Sequence, residues 1–132
     1  QGGSFMRDLI ISAAIMMVLI GSWLIFDNYS EKQLVDFSSS IIEEIIPAVE
    51  AGDWDESLSM ISDFSDRWHE YRKKALLFLE TEEVNEIDYC LAKSEKYIKA
   101  EDVSNSSGEL NSLAEQIIFM YEKQDINAAN IL

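Results

Sequence analysis

Proline occurs once in these 132 residues, glycine five times, cysteine once and histidine once. Each scarcity excludes something. So little Pro and Gly leaves no material for a loop-rich fold, and no stretch alternates apolar and polar as a half-buried strand does. A lone cysteine, Cys90, excludes an internal disulfide and every paired-cysteine zinc or redox motif. A lone histidine, His69, excludes catalysis that needs two. Asp66 lies three residues before it, on the same side of a helix. Carboxylate–histidine metal sites in bundles need two such pairs and further carboxylates, so His69 reads as a surface or boundary residue. No G-x-S-x-G elbow is present; Ser104, Ser106 and Ser107 read as loop. The glycines are too few for a phosphate-binding loop.

Basic residues are scarce too. Lys and Arg total 10 against 25 Asp and Glu, a formal charge of −15. Residues 27–132 hold 9 of the bases and 24 of the acids, so the imbalance lies entirely after the start of the chain. Such a domain repels phosphate backbones, which excludes nucleic-acid binding. Solubility alone accounts for the surplus, although a basic partner would also suit it.

What the chain does have is a long apolar run. From Leu9 to Phe26 there are 18 uncharged residues, among them Leu9, Ile10, Ile15, Val18 and Leu19. As a helix they reach about 27 Å, close to the ~30 Å bilayer core. Gly21 interrupts the run only mildly. Trp23 stands near its end, where an indole suits the headgroup level, and Phe26 closes it before Asp27. A secretory signal would have a shorter apolar run and a small-residue cleavage site; here bulky and charged residues follow. All faces are apolar, unlike a helix on the surface of a small core. The expectation is an uncleaved anchor over residues 6–28. The opening "QGGSF", residues 1–5, reads as the remnant of a cleaved tag and is set aside. Arg7 before the span and Asp27 and Glu31 after it predict the amino terminus inside and the domain outside the cell membrane. Labelling Cys90 from outside intact cells would test that orientation.

The rest of the chain reads as helices. Leu34, Phe37, Ile41 and Ile45, with Ile42, Ile46 and Val49 beside them, continue the first helix as an amphipathic one. Pro47 predicts a kink or break near Ile46. Gly52 suits a helix end, Asp53 an N-cap, and Glu56 completes a capping-box pattern. A second helix is expected from Trp54 to about Leu79. A third should follow Thr81 as its N-cap, on the stripe Val84, Ile87, Leu91, Ile98. It should end in the turn-prone "KAEDVSNSSGE". A fourth carries Leu110, Leu113, Ile117, Met120 and Tyr121, and the tail would dock Ile126, Ile131 and Leu132. The fold class is all-α: an N-terminal transmembrane helix continuing into an antiparallel bundle of helical hairpins, residues 29–132. The two hairpins, roughly thirty residues each, show no common register in the sequence.

Two residue groups stand out in the bundle. Trp54, Phe64, Trp68 and Tyr71 at helical spacing read as core, with a groove for a partner helix or a small apolar ligand as the sharper alternative. Glu82, Glu83 and Glu86 open the third helix. They lack the glycine and spacing of a calcium loop and read as a solvated acidic surface on which a partner could dock. Neither group implies a cofactor or a catalytic site.

Taken in order, these pieces resemble a family. They are Gly52-Asp53-Trp54 opening a helix, Trp68, Leu79 with Glu82-Glu83-Val84 and Ile87-Asp88, Leu91-Ala92, and Ile126 with Asn130-Ile131-Leu132. The layout is similar to domain-of-unknown-function family 4363, small single-span proteins of spore-forming Gram-positive bacteria. Thr81 stands where many relatives carry a His. The resemblance implies no enzyme activity. It implies an accessory role, because family members are often encoded beside a YetF-like multi-span membrane protein. The expected function is a non-enzymatic, membrane-anchored module serving that partner. A sensor for a small ligand or cation, and a self-assembling envelope protein, are the alternatives.

Overall fold

The computed structural model describes the backbone of residues 2–131 and the side chains of all of these except 125 and 127–131. Four helices account for almost all of it, and no strand occurs among the described residues. The first, α1, is continuous over Gly2–Glu50, about 74 Å long at the standard rise. It starts within the segment set aside as a tag remnant. The others are α2 (Trp54–Ala75), α3 (Thr81–Lys99) and α4 (Val103–Ile131). The all-α architecture expected from the sequence is what forms: a long apolar helix whose second half belongs to a helical bundle.

That bundle has one core. Leu34, Phe37, Ile41, Ile45 and Val49 enter it from α1, and Ile61, Phe64, Trp68 and Tyr71 from α2. Val84, Ile87, Leu91 and Ile98 come from α3, Leu110, Leu113, Ile117 and Met120 from α4. Phe37 sits edge-on to Phe64, Trp68 and Tyr71, with ring centroids 5.2, 5.9 and 5.6 Å away. Edge-to-face contacts at this range are favourable for aromatic quadrupoles.

Pro47 does not break α1. The helix widens over Ile41–Ile45 into one π-turn, in which the Ile46 N–H donates to the Ile41 carbonyl. Proline sits at the start of the following α-helical segment, Ile46–Glu50, where its missing N–H costs least. The spacing of the core residues explains the wide turn. Phe37, Ile41, Ile45 and Val49 recur every fourth residue. At 100° per residue each step of four overshoots by about 40°, and one π-turn brings the face back to the core. Ile42, grouped with the apolar positions in the sequence, is left exposed by the same geometry.

Two of the three reversals are built alike. After α1, Gly52 adopts φ +73°, its N–H donates to Val49 O at 3.0 Å, and the Asp53 N–H donates to Ala48 O at 3.0 Å. This is a Schellman end, and Asp53 then caps α2 by accepting from the Glu56 N–H at 3.3 Å. The backbone bond already occupies the Asp53 N–H, so Glu56 has no donor to reach back to. After α3, Glu101 takes φ +55°, with bonds of 3.0 Å from its N–H to Ile98 O and from the Asp102 N–H to Tyr97 O. Asp102 accepts from the Asn105 N–H at 3.0 Å and starts α4 there. The stretch read as loop is therefore helical, and Ser106 is fully buried in it. Two further boundaries differ. α2 ends at Ala75 in tight turns, the Phe78 N–H reaching Ala75 O at 3.0 Å, and Glu80, not Thr81, is the residue before α3.

The twin reversals reveal a register that the sequence hides. After each, residues 49 apart are buried together: Ser57 with Ser106, Ile61 with Leu110, Phe64 with Leu113, Trp68 with Ile117, Tyr71 with Met120. Before each, Val49 matches Ile98 and Ile45 matches Ser94 at the same offset. Upstream of the π-turn the offset becomes 50: Leu34 with Val84, Phe37 with Ile87, Ile41 with Leu91. The bundle is a repeated hairpin, and the π-turn is the one residue by which the first copy exceeds the second.

Candidate functional site

The sequence singled out the start of α1, and the structure leaves it bare. Only 6% of its most apolar 18-residue window is covered by the rest of the chain. Leu9, Ile10, Ile15, Val18 and Leu19 are all exposed, Gly21 and Trp23 half-buried. Phe26 is the first buried residue, and with it the bundle begins.

The junction at Phe26 is tightly built. Its ring stacks on Phe78 of the α2–α3 loop, centroids 4.4 Å apart, and lies 6.3 Å from Tyr71. One turn further, Ser30 is fully buried between three helices. Its hydroxyl donates to Gln124 Oε1 of α4 at 2.8 Å, so the Tyr71 hydroxyl of α2 donates to Ser30 at 2.5 Å. Burial holds the Tyr71 phenol well above its ordinary pKa, and it stays a neutral donor. Lys74 reaches over the Tyr29 ring, 4.7 Å from its centroid. Residues of α1, α2 and α4 are thus locked where the apolar run ends.

Of the four aromatics weighed as groove or core, Phe64, Trp68 and Tyr71 are fully buried and Trp54 packs half-buried against them. The Trp68 indole N–H donates to Asp88 at 2.6 Å, and Arg72 Nε donates to the other oxygen of the same carboxylate at 2.6 Å. Asp88 is thus the polar anchor between α2 and α3. A buried indole N–H needs an acceptor, and that need was the only hint of it.

The acidic residues of α3 divide. Glu82 and Glu86 face solvent, whereas Glu83 accepts from Lys123 of α4, which also lies 3.6 Å from Glu80. The hydrogen bond to Glu83 holds the Lys123 ammonium above its ordinary pKa. Glu80, Glu82, Glu83 and Glu86, with Glu115 and Gln116, line a groove of about 460 Å³ between α3 and α4, bordered by exposed Phe119. Asp36, Asp63, Asp66 and Arg67 line the equivalent groove of the first hairpin, where Arg67 pairs with Asp36 at 2.9 Å. Among the described residues no group of three or more His, Cys, Asp and Glu could hold a metal ion.

His69 is exposed, and its Nδ1–H donates to the Ser65 carbonyl one turn back at 2.6 Å. Cys90 is buried, with its thiol donating to Glu109 O at 3.3 Å. Burial first, then the Glu109 carboxylate, push its pKa up to about 12. A neutral, covered thiol does not react with aqueous reagents, so Cys90 cannot report orientation as the sequence suggested. Ile126 is exposed, and the proposed docking of Ile131 and Leu132 falls outside the described side chains.

Fold and site together define a class: an all-helical bundle continuous with one helix long and apolar enough to cross a membrane. Within that class the chain belongs to the family described as Domain of unknown function (DUF4363), which it matches over residues 25–131. The match starts at the junction, next to Phe26, and takes in the whole bundle. No curated protein and no solved structure matches the chain.

Proposed function

We propose that this chain is a non-enzymatic accessory subunit of a YetF-like multi-span membrane protein. The apolar half of α1 is its single span, the amino terminus is cytoplasmic, and the bundle lies outside the cell membrane. The carrying observation is the division of one helix. Its first half is apolar on every side and uncovered, while its second half, from Phe26 to Val49, supplies seven core residues of the bundle. Water penalises such a surface, and a bilayer accepts it. A core helix of this domain would be covered, and this one is not.

Three features support the accessory role. Small residues Ser12, Ala13, Ala14, Gly21 and Ser22 allow close approach of another helix in lipid. The outer surface is acidic, and Glu82 and Glu86 are unengaged by α4, which suits a basic patch. The lone His and Cys are engaged in local hydrogen bonds, His69 with the Ser65 carbonyl and Cys90 with Glu109. The YetF-like partner itself comes from gene neighbourhood in the family. Co-purification in mild detergent tests it: the two proteins elute together, and clean separation would sink the proposal.

The α3–α4 groove, lined by Glu80, Glu82, Glu83, Glu86 and Glu115, favours a second reading, a sensor or binding module for a small ligand or cation. A thermal-shift screen with calcium, magnesium and lipids separates the two. A shift at millimolar ion supports the binding module, and none counts against it.

A further inference from the structure

The bundle end beside Phe26 carries exposed apolar side chains next to the end of the apolar run. The α2–α3 loop carries Leu77 at 78% exposure and Phe78 at 38%, side by side. Phe78 stacks on Phe26, the last residue of the apolar run, so this loop is level with the end of the run. Just before it come Arg72, Lys73 and Lys74, and Lys74 extends along the Tyr29 ring. An aromatic and a lysine at one level are what the headgroup zone attracts.

α4 points the same way. It runs antiparallel to α1, with Ser107 near Glu50 at one end and Gln124 bonded to Ser30 at the other. Its backbone stays helical seven residues beyond Gln124, to Ile131. That is about 10 Å further, past Phe26 to the level of Trp23. Exposed Ile126 lies on this extension. Two elements, an apolar loop and a helix end, therefore reach the plane in which the apolar run stops.

We infer that the bundle is seated on the bilayer, with Leu77 and Phe78 entering the headgroup zone of the leaflet beside the span as a second membrane contact. The inference rests on the reading of α1 as a span. It goes beyond anchoring, because a lone span leaves a domain free to tilt, whereas a second contact fixes which face looks along the membrane. The grooves between helices then hold a constant height and direction toward a membrane partner. Asp27, Glu31 and Glu80 lie at the same end, so the contact is with lipid in general and needs no anionic headgroup.

Spin labels on the full chain in phosphatidylcholine nanodiscs test it. Ile15→Cys, Ser59→Cys and Leu77→Cys each replace an exposed residue, and buried Cys90 leaves the labelling clean. Collisions with oxygen and with a water-soluble nickel chelate report depth. The expected order is Ile15 deepest, Leu77 intermediate, and Ser59 fully aqueous. A Leu77 label as open to nickel as Ser59, with Ile15 deep, overturns the seating and leaves the span standing. An aqueous Ile15 label overturns both. A Leu77 label shielded from nickel and oxygen alike marks a protein cover, a second copy included, and overturns the lipid contact.

Discussion

Glu101 and Gly52 occupy the same backbone conformation at matching places in the two hairpins. Only glycine adopts it without strain, so the second reversal stores a cost that the first avoids. Glu101→Gly should stabilise the protein by about 0.5–1 kcal/mol, read as a higher denaturant midpoint in detergent. The sequence announced the first reversal through Gly52 and Asp53. It concealed the second, because a glutamate carries no mark of a left-handed turn. Asp88 makes a different point. It satisfies the buried Trp68 N–H and holds Arg72. Asp88→Ala should cost about 2 kcal/mol, because it strands a buried donor. A midpoint within error of the parent would contradict that assignment. Cys90 supplies a third test. With its pKa near 12 and its thiol covered, maleimide labelling at neutral pH should be negligible in the folded protein and complete after denaturation.

At the scale of the element, α1 was legible in kind and misread in detail. The apolar run and the stripe beyond it follow from composition and spacing. Pro47 suggested a break, yet the structure absorbs it in a π-turn. The spacing shows why: Phe37, Ile41, Ile45, Val49 step by four throughout, whereas α3 buries Val84, Ile87, Leu91, Ser94 and Ile98 in steps of three and four. A stripe of fours cannot stay on one face of a regular helix. Deleting exposed Glu43 in a Pro47→Ala background removes the extra residue and gives α1 the spacing of α3. Its helicity and cooperative unfolding should persist, and circular dichroism through a melt measures both. Deleting exposed Ala92 from the regular α3 should instead rotate half its core residues outward and abolish cooperative unfolding.

The whole molecule is organised around one helix. Its apolar half has no cover of its own, its other half is the core of a repeated hairpin, and Ser30, Tyr71 and Gln124 lock the joint. The repeat escaped sequence reading because only burial and backbone are conserved between its halves, with Phe64 against Leu113 and Trp68 against Ile117. No π-turn offsets the second copy, and one extra residue is enough to blur an alignment by eye. The acidic balance and the absence of paired histidines or cysteines were plain from composition. The grooves were not, because they need α3 and α4 side by side.

The central claim is that α1 is a single continuous helix from its apolar half into the bundle, so that movement of the apolar half is movement of the bundle. The distance between spin labels at Met17→Cys and Glu43→Cys, measured by double electron–electron resonance in nanodiscs, tests it most directly. Both positions are exposed, and they lie on opposite sides of the junction. The account predicts one narrow distribution centred at about 39 Å, the rise of an unbroken helix over that separation. A broad distribution, or one centred well below that value, would mean a hinge at the junction and would contradict it.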